Sequence, residues 1–128
     1  METMIKNNKH FDRVSEIIDS LVINPNPDSV GVLEEIGTNS SIDEVRELTS
    51  RALVKRNEQD SLSVVIENRG KGINDLSTVV AMSTINELLS LEDKQVAMGV
   101  LENAISNESY EEEIRENARS VKALMALS

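Results

Sequence analysis

Two distant parts of this chain carry nearly the same text, and that repetition constrains its fold more than any single motif. Glu113-Ile114-Arg115-Glu116 repeats Glu44-Val45-Arg46-Glu47, and upstream Gly99-Val100-Leu101-Glu102 repeats Gly31-Val32-Leu33-Glu34. A shift of 68 residues lays Val14-Ser15-Glu16-Ile17 on Met82-Ser83-Thr84-Ile85, Leu21 on Leu89, Asn39 on Asn107 and Ser41 on Ser109. One inserted residue then brings Arg46 onto Arg115. The chain reads as one domain, 1–128, made of two three-helix units at about 11–56 and 79–125. A linker, 57–78, carries a short middle helix.

Hydrophobic spacing supplies the helices. In the last segment Tyr110, Ile114, Ala118, Val121 and Met125 fall every three or four residues, one face of a 3.6-residue period. Ser109-Tyr110-Glu111-Glu112 fits a capping box, and Ser41-Ile42-Asp43-Glu44 fits another at the start of the third helix. Glu111, Glu112 and Glu113 stand where a helix dipole is positive. The first helix is expected from Lys9 to Ile23, burying Phe11, Val14, Ile17, Ile18, Leu21 and Val22 behind a polar, frayed Met1–Lys9. Asn24-Pro25-Asn26-Pro27 stops it, because proline removes a donor and disfavours helix in the residue before it.

Asp28 is the expected N-cap of a second helix to Ile36, with Val32, Leu33 and Ile36 inward, and Gly37 follows as a C-terminal glycine. The third runs to about Arg56 on Ile42, Val45, Leu48, Ala52 and Leu53. The fourth spans Ser61 to Asn68 on Leu62, Val65 and Ile66. Val64-Val65-Ile66 would also suit a strand, but no second strand-like run exists to pair with it. The fifth extends from Asp75, capped by Asn74, to Leu91, with Leu76, Val79, Met82, Ile85, Leu88 and Leu89 inward. The sixth ends at Ile105 and buries Val96, Val100, Leu101, Ala104 and Ile105. The expectation is an all-α, right-handed stack of about seven amphipathic helices.

Composition enters where it excludes chemistry. There is no cysteine, so no disulfide, thiolate nucleophile or cysteine zinc site, which fits a reducing compartment. His10 is the single histidine, which leaves no histidine pair for catalysis or metal, and its place near a terminus suits a surface residue. Phe11 and Tyr110 are the only aromatics, too few for base-stacking platforms. A net charge of −10 opposes binding a phosphate backbone. The three segments carry −3, −2 and −5 in order, so the last is the most acidic. No apolar run is long enough to span a membrane and no signal-peptide pattern is visible, so a soluble, cytoplasmic protein is expected.

Three further stretches resemble chemistry and resolve into local structure. Asn68-Arg69-Gly70-Lys71-Gly72-Ile73-Asn74 lacks the G-x-x-x-x-G-K-[ST] spacing of a phosphate loop and reads as a flexible connection between helices. Asn39-Ser40-Ser41 and Asn107-Glu108-Ser109 match the glycosylation sequon but sit in the same turn of each unit, where turn and cap chemistry accounts for them. Glu34-Glu35, Asp43-Glu44 and Glu111–Glu113 could offer carboxylates to a hard cation. However, no E-x-x-H step accompanies them, and they fall on polar helix sides. No catalytic, cofactor-binding or metal residue is singled out, no cofactor is expected, and the chain reads as not an enzyme.

Units of two or three helices and about 46 residues resemble HEAT or armadillo repeats. Val32–Leu53, and again Val100–Leu124, also resembles small uncharacterised archaeal proteins built from HEAT-like helix pairs. The shared feature is a polar turn followed by a step such as Asp43-Glu44-Val45-Arg46. The resemblance implies a protein–protein scaffold or adaptor and carries no functional residue across. Its partner is expected to be another protein, basic or peptide-like, held in a groove along the third and seventh helices. Two copies are fewer than the three that usually complete such a stack, so a homodimer would cover any open apolar face. The alternative is an acidic regulator or inhibitor, a nucleic-acid mimic that occupies a basic target. Neither reading includes direct contact with nucleic acid or a membrane.

Overall fold

Helix ends, more than helix interiors, explain how this chain assembles. The computed structural model describes residues 2–128, with side chains from Asp12 onward. Phe11, expected in the core, and His10, expected at the surface, lie outside the described side chains, and Met1 lies outside the described residues. As expected, the fold is all-α. Its helices are α1 (Glu2–Ile23), α2 (Asp28–Asn39), α3 (Asp43–Arg56), α4 (Gln59–Glu67), α5 (Thr78–Leu89), α6 (Gln95–Ser106) and α7 (Glu112–Leu127). A 3-10 turn, Gly72–Asn74, lies between α4 and α5. No strand occurs among the described residues, and Val64–Ile66 lies inside α4.

Helices α1, α3 and α5 lie side by side, and α4 packs between α3 and α6. Helix α2 leans on α3, while α7 closes the far end against α6 and touches α5 and α4 more lightly. The centre is aliphatic: Leu33, Val54, Leu62, Val65, Ile66, Leu88, Val100, Leu101 and Val121 are buried. Each such side chain contributes about 1.5–3 kcal/mol when fully buried.

The last four carbonyls of a helix have no partner within it, and its C-terminus carries partial negative charge. Helices α1, α2 and α6 have no basic residue in their last turn. An arginine from elsewhere serves each of them. Arg56 donates to the carbonyls of Leu21 and Asn24 at the end of α1, both at 2.7 Å. Arg46 donates to Gly37 and Ser40 at the end of α2, at 3.0 and 3.4 Å. Arg115 donates to Ile105 at the end of α6, at 3.0 Å. Helix α3 ends differently, on Asn57 in the left-handed region (φ 50°) with its N–H bonded to Val54.

Several expected helix starts are displaced. Helix α1 already begins at Glu2, ahead of the expected Lys9. Asp28 is the first helical residue rather than a cap, and its N–H donates to the Asn26 side chain. The two serine boxes do not form. Helix α3 starts at Asp43 after Ile42, and α7 starts at Glu112 after Glu111, neither with a side-chain cap. The reason is local competition: Ser40 accepts the Ile42 N–H, and Asn107 accepts the N–H and hydroxyl of Ser109. Among the described residues the one capping box is Glu58 with Ser61 at α4.

Inward faces also shift. Helix α4 buries Leu62, Val65 and Ile66 as expected, and α7 buries Ile114, Ala118, Val121 and Met125. Tyr110 is half-buried ahead of α7 rather than on it. Helix α1 exposes Ile17 and buries Ile18, α2 exposes Val32 and buries Val30 with Leu33, and α3 exposes Ile42. The largest departure is α5, which buries Val80, Thr84 and Leu88 and turns Val79 and Met82 outward.

Candidate interaction surface

The outward turn of α5 originates in the segment just before it. Gly70 and Gly72 have φ of 74° and 53°, a region open to glycine. A Cβ on Gly72 would stand 2.4 Å from the Val65 carbonyl oxygen, so the loop is pressed onto the α4 backbone. Asn74 donates to the Ile66 carbonyl at 2.8 Å and accepts from the Asn117 side chain at 3.0 Å, joining α4 to α7. It therefore closes α4 rather than capping α5. Arg46 reaches across from α3 to the Gly70 carbonyl at 2.9 Å and to the Asp75 carboxylate. Asp75, only 5% exposed at its side chain, also accepts the Ser77 N–H at 2.9 Å. The stretch that reads from sequence as a flexible connection is fastened at each of these points. A pocket of about 20 Å³ beside Arg46, Thr49 and Asp75 has room for one water.

This bracing fixes what stands outside it. Leu76, in the middle of the Asp75–Ser77 turn, is 93% exposed, and the row continues along α5 through Val79 (54%) and Met82 (50%). Ser77 donates to Asp43 at 3.1 Å, which sets Ile42, 48% exposed at the head of α3, beside the start of the row. On its other side Leu76 meets a cavity of about 90 Å³ lined by Arg69, Gly70, Asn74, Glu111, Glu113 and Ile114. Spacing of three residues places Val79 and Met82 on one side of α5, and Leu76 stands on the turn just before it. Spacing alone points the row inward, because α5 carries apolar residues on more than one face and periodicity cannot choose between two apolar faces. Thr84 settles inward because its hydroxyl donates to the Val80 carbonyl at 2.8 Å.

The acidic residues separate by role. Glu111 takes Arg69 at 2.9 Å, and Glu112 takes Arg115 and Arg119, both at 3.1 Å. Glu34 accepts from Asn68 at 3.0 Å. Asp43, Glu44 and Glu113 form no ion pair among the described residues. The carboxylate groups singled out in the sequence lie on α2, on α3 and before and on α7. Among the described residues no three acidic or histidine side chains gather as a metal site. Glu67 receives the Tyr110 hydroxyl at 3.0 Å and the Asn103 amide at 2.9 Å. Burial first, then the hydrogen bond and the charge of Glu67, push the Tyr110 phenol above its ordinary value.

Helices α3 and α7 are not close neighbours: α3 is packed by α1, α2, α4 and α5, while α7 lies at the end against α6, and the row on α5 has Asp43 of α3 at one edge and Glu113 of α7 at the other. The row on α5 and the head of α3 present four exposed apolar side chains there, and Ile17, Ile23, Val32, Leu124 and Leu127 are also exposed. No helix of the described residues is long and apolar enough to cross a membrane. Compared with protein-family models, curated protein sequences and solved structures, the chain matches none.

Proposed function

We propose that this chain is a non-enzymatic protein–protein interaction module of the cytoplasm, a small helical scaffold or adaptor. The observation that carries the reading is the row Leu76–Val79–Met82, apolar, outward, and held by a turn whose carboxylate is buried on Arg46. Isolated exposed leucines are ordinary, whereas a contiguous apolar patch rimmed by polar residues marks an interaction surface. A leucine on a turn whose backbone is braced loses little further backbone freedom when covered, which lowers the cost of association.

The two-unit, HEAT-like architecture, 11–56 and 79–125 around 57–78, is part of this proposal. Its support is that Arg46 and Arg115, the repeated arginines, each meet the carbonyl end of the preceding helix. The acidic mimic remains a second reading because Glu113 and Glu116 on α7 have no ion pair among the described residues.

Capture from native lysate with the purified chain as bait, eluted across a salt series, separates the readings. A defined partner retained at high salt is the expected result. A basic partner released at modest salt and displaced by added DNA or RNA would favour the mimic. No retained protein at any salt rejects the module.

A further inference from the structure

The interaction reading leaves the partner's chemistry open, and the surroundings of the apolar row narrow it. We infer that Leu76, Val79 and Met82, with Ile42 beside them, receive an amphipathic helix of a partner protein whose flanking residues are basic. The inference rests on the module reading above.

The occupant's shape follows from the row. Val79 and Met82 share one side of α5 and Leu76 continues their row on the turn before it, and an apolar row along a helix is matched by another helix presenting apolar residues at i, i+3 and i+7. Its charge follows from the rim. Asp43 stands at one edge, bonded to Ser77 and to no cation, and Glu113 lines the cavity at the other. The cation nearest that cavity, Arg69, is already held by Glu111. A lysine or arginine flanking the partner's apolar side would meet carboxylates on both edges, without displacing an existing pair. A second copy of this chain would do the reverse. A two-fold pairing of the row brings like rims together on two molecules of charge −10. The same rim disfavours a helix edged with glutamate.

The test uses three labelled synthetic peptides of roughly 18 residues. One is an amphipathic leucine–lysine helix, one has every lysine changed to glutamate, and one keeps the lysine composition with the apolar spacing scrambled. Each is titrated into the full chain by fluorescence anisotropy at about 50 and 300 mM salt, which spans strong and weak screening. The leucine–lysine helix is expected to bind at least about tenfold more tightly than either control. Leu76→Ser is expected to weaken it about tenfold, with an unchanged circular dichroism spectrum. The pair Asp43→Asn with Glu113→Gln is expected to weaken it several-fold and to flatten the salt dependence.

Equal binding by Leu76→Ser, or equal binding of the scrambled peptide, overturns the inference in favour of bulk acidity. Equal binding of the glutamate peptide removes the basic partner. A dimer in sedimentation velocity that Leu76→Ser abolishes assigns the row to a second copy instead. Failure of this surface and failure of the module are read apart by repeating the lysate capture with Leu76→Ser. Undiminished capture sinks this surface alone, whereas no capture by the unaltered chain sinks the module.

Discussion

Replacing Arg46 with alanine should destabilise this protein measurably. The guanidinium bonds three carbonyls, those of Gly37, Ser40 and Gly70, and the carboxylate of Asp75. Its side chain is 20% exposed and that of Asp75 is 5% exposed. Removing one member of a buried ion pair costs about 3–5 kcal/mol, chiefly because the remaining charge is stranded. Water can reach one side of Arg46, which lowers the expected cost to about 2–3 kcal/mol. At about 2.1 cal/mol/K per residue, unfolding 128 residues has an entropy near 0.27 kcal/mol/K, so Tm should fall by about 7–11 °C. Thermal and urea unfolding followed by circular dichroism measures this directly. The double variant Arg46→Met with Asp75→Asn removes both charges and should recover at least half of the loss, because nothing is left charged and unpaired. A loss below about 1 kcal/mol for Arg46→Ala, or strict additivity in the double variant, would refute the assignment of Arg46 as the clamp of the α3–α5 joint.

Arg115→Ala loses the equivalent contact at the end of α6 but strands no buried carboxylate, so urea unfolding should show about 1 kcal/mol of destabilisation, clearly less than at Arg46. Gly72→Ala forces a Cβ to within 2.4 Å of backbone and should destabilise by about 3 kcal/mol or more, whereas Gly70→Ala meets no atom within 4 Å and should cost only about 1 kcal/mol from its positive φ. Tyr110 is the single tyrosine in a chain without tryptophan, so ultraviolet difference titration reads it alone. Its folded midpoint should lie above 10.0 and move down in Glu67→Gln. Since the folded phenol holds its proton more tightly than the unfolded one, its share of stability is complete below pH 10.0 and is lost as pH rises through the folded midpoint.

Helix number and class were legible because Leu, Ile, Val and Ala recur at helical spacing with almost no aromatic or strand-like text to compete. Faces were legible where one side of a helix is plainly polar. In α7, Ile114, Ala118, Val121 and Met125 oppose Glu112, Glu116 and Arg119, and the buried side is the one the spacing names. In α5 both sides are apolar, and burial is decided by contacts that a local pattern does not contain. Arg46, on α3, holds Asp75, and Asp75 sets the angle at which α5 leaves the turn. Helix ends failed for the same kind of reason. Ser41 and Ser109 have capping-box spacing, but Ser40 and Asn107 take the nearby donors first, and the carbonyl ends are met by arginines of other helices, Arg46 and Arg115 on the next one and Arg56 more than thirty residues on. The exposed row was therefore visible as residues and misread as core. A signal was present in the Asp75-Leu76-Ser77 turn, where an aspartate two residues before a donor favours a tight bend with its middle residue outward.

The central claim is that the row on α5 and the head of α3 form a binding face for a basic helix, and backbone NMR of the full chain titrated with the leucine–lysine peptide tests it most directly. The account predicts shift changes concentrated at Ile42, Asp43, Leu76, Ser77, Val79, Met82 and Glu113, with α6 and the far half of α7 undisturbed. Changes spread over the acidic surface from Glu92 to Glu116, with Leu76 and Val79 unmoved, would contradict it.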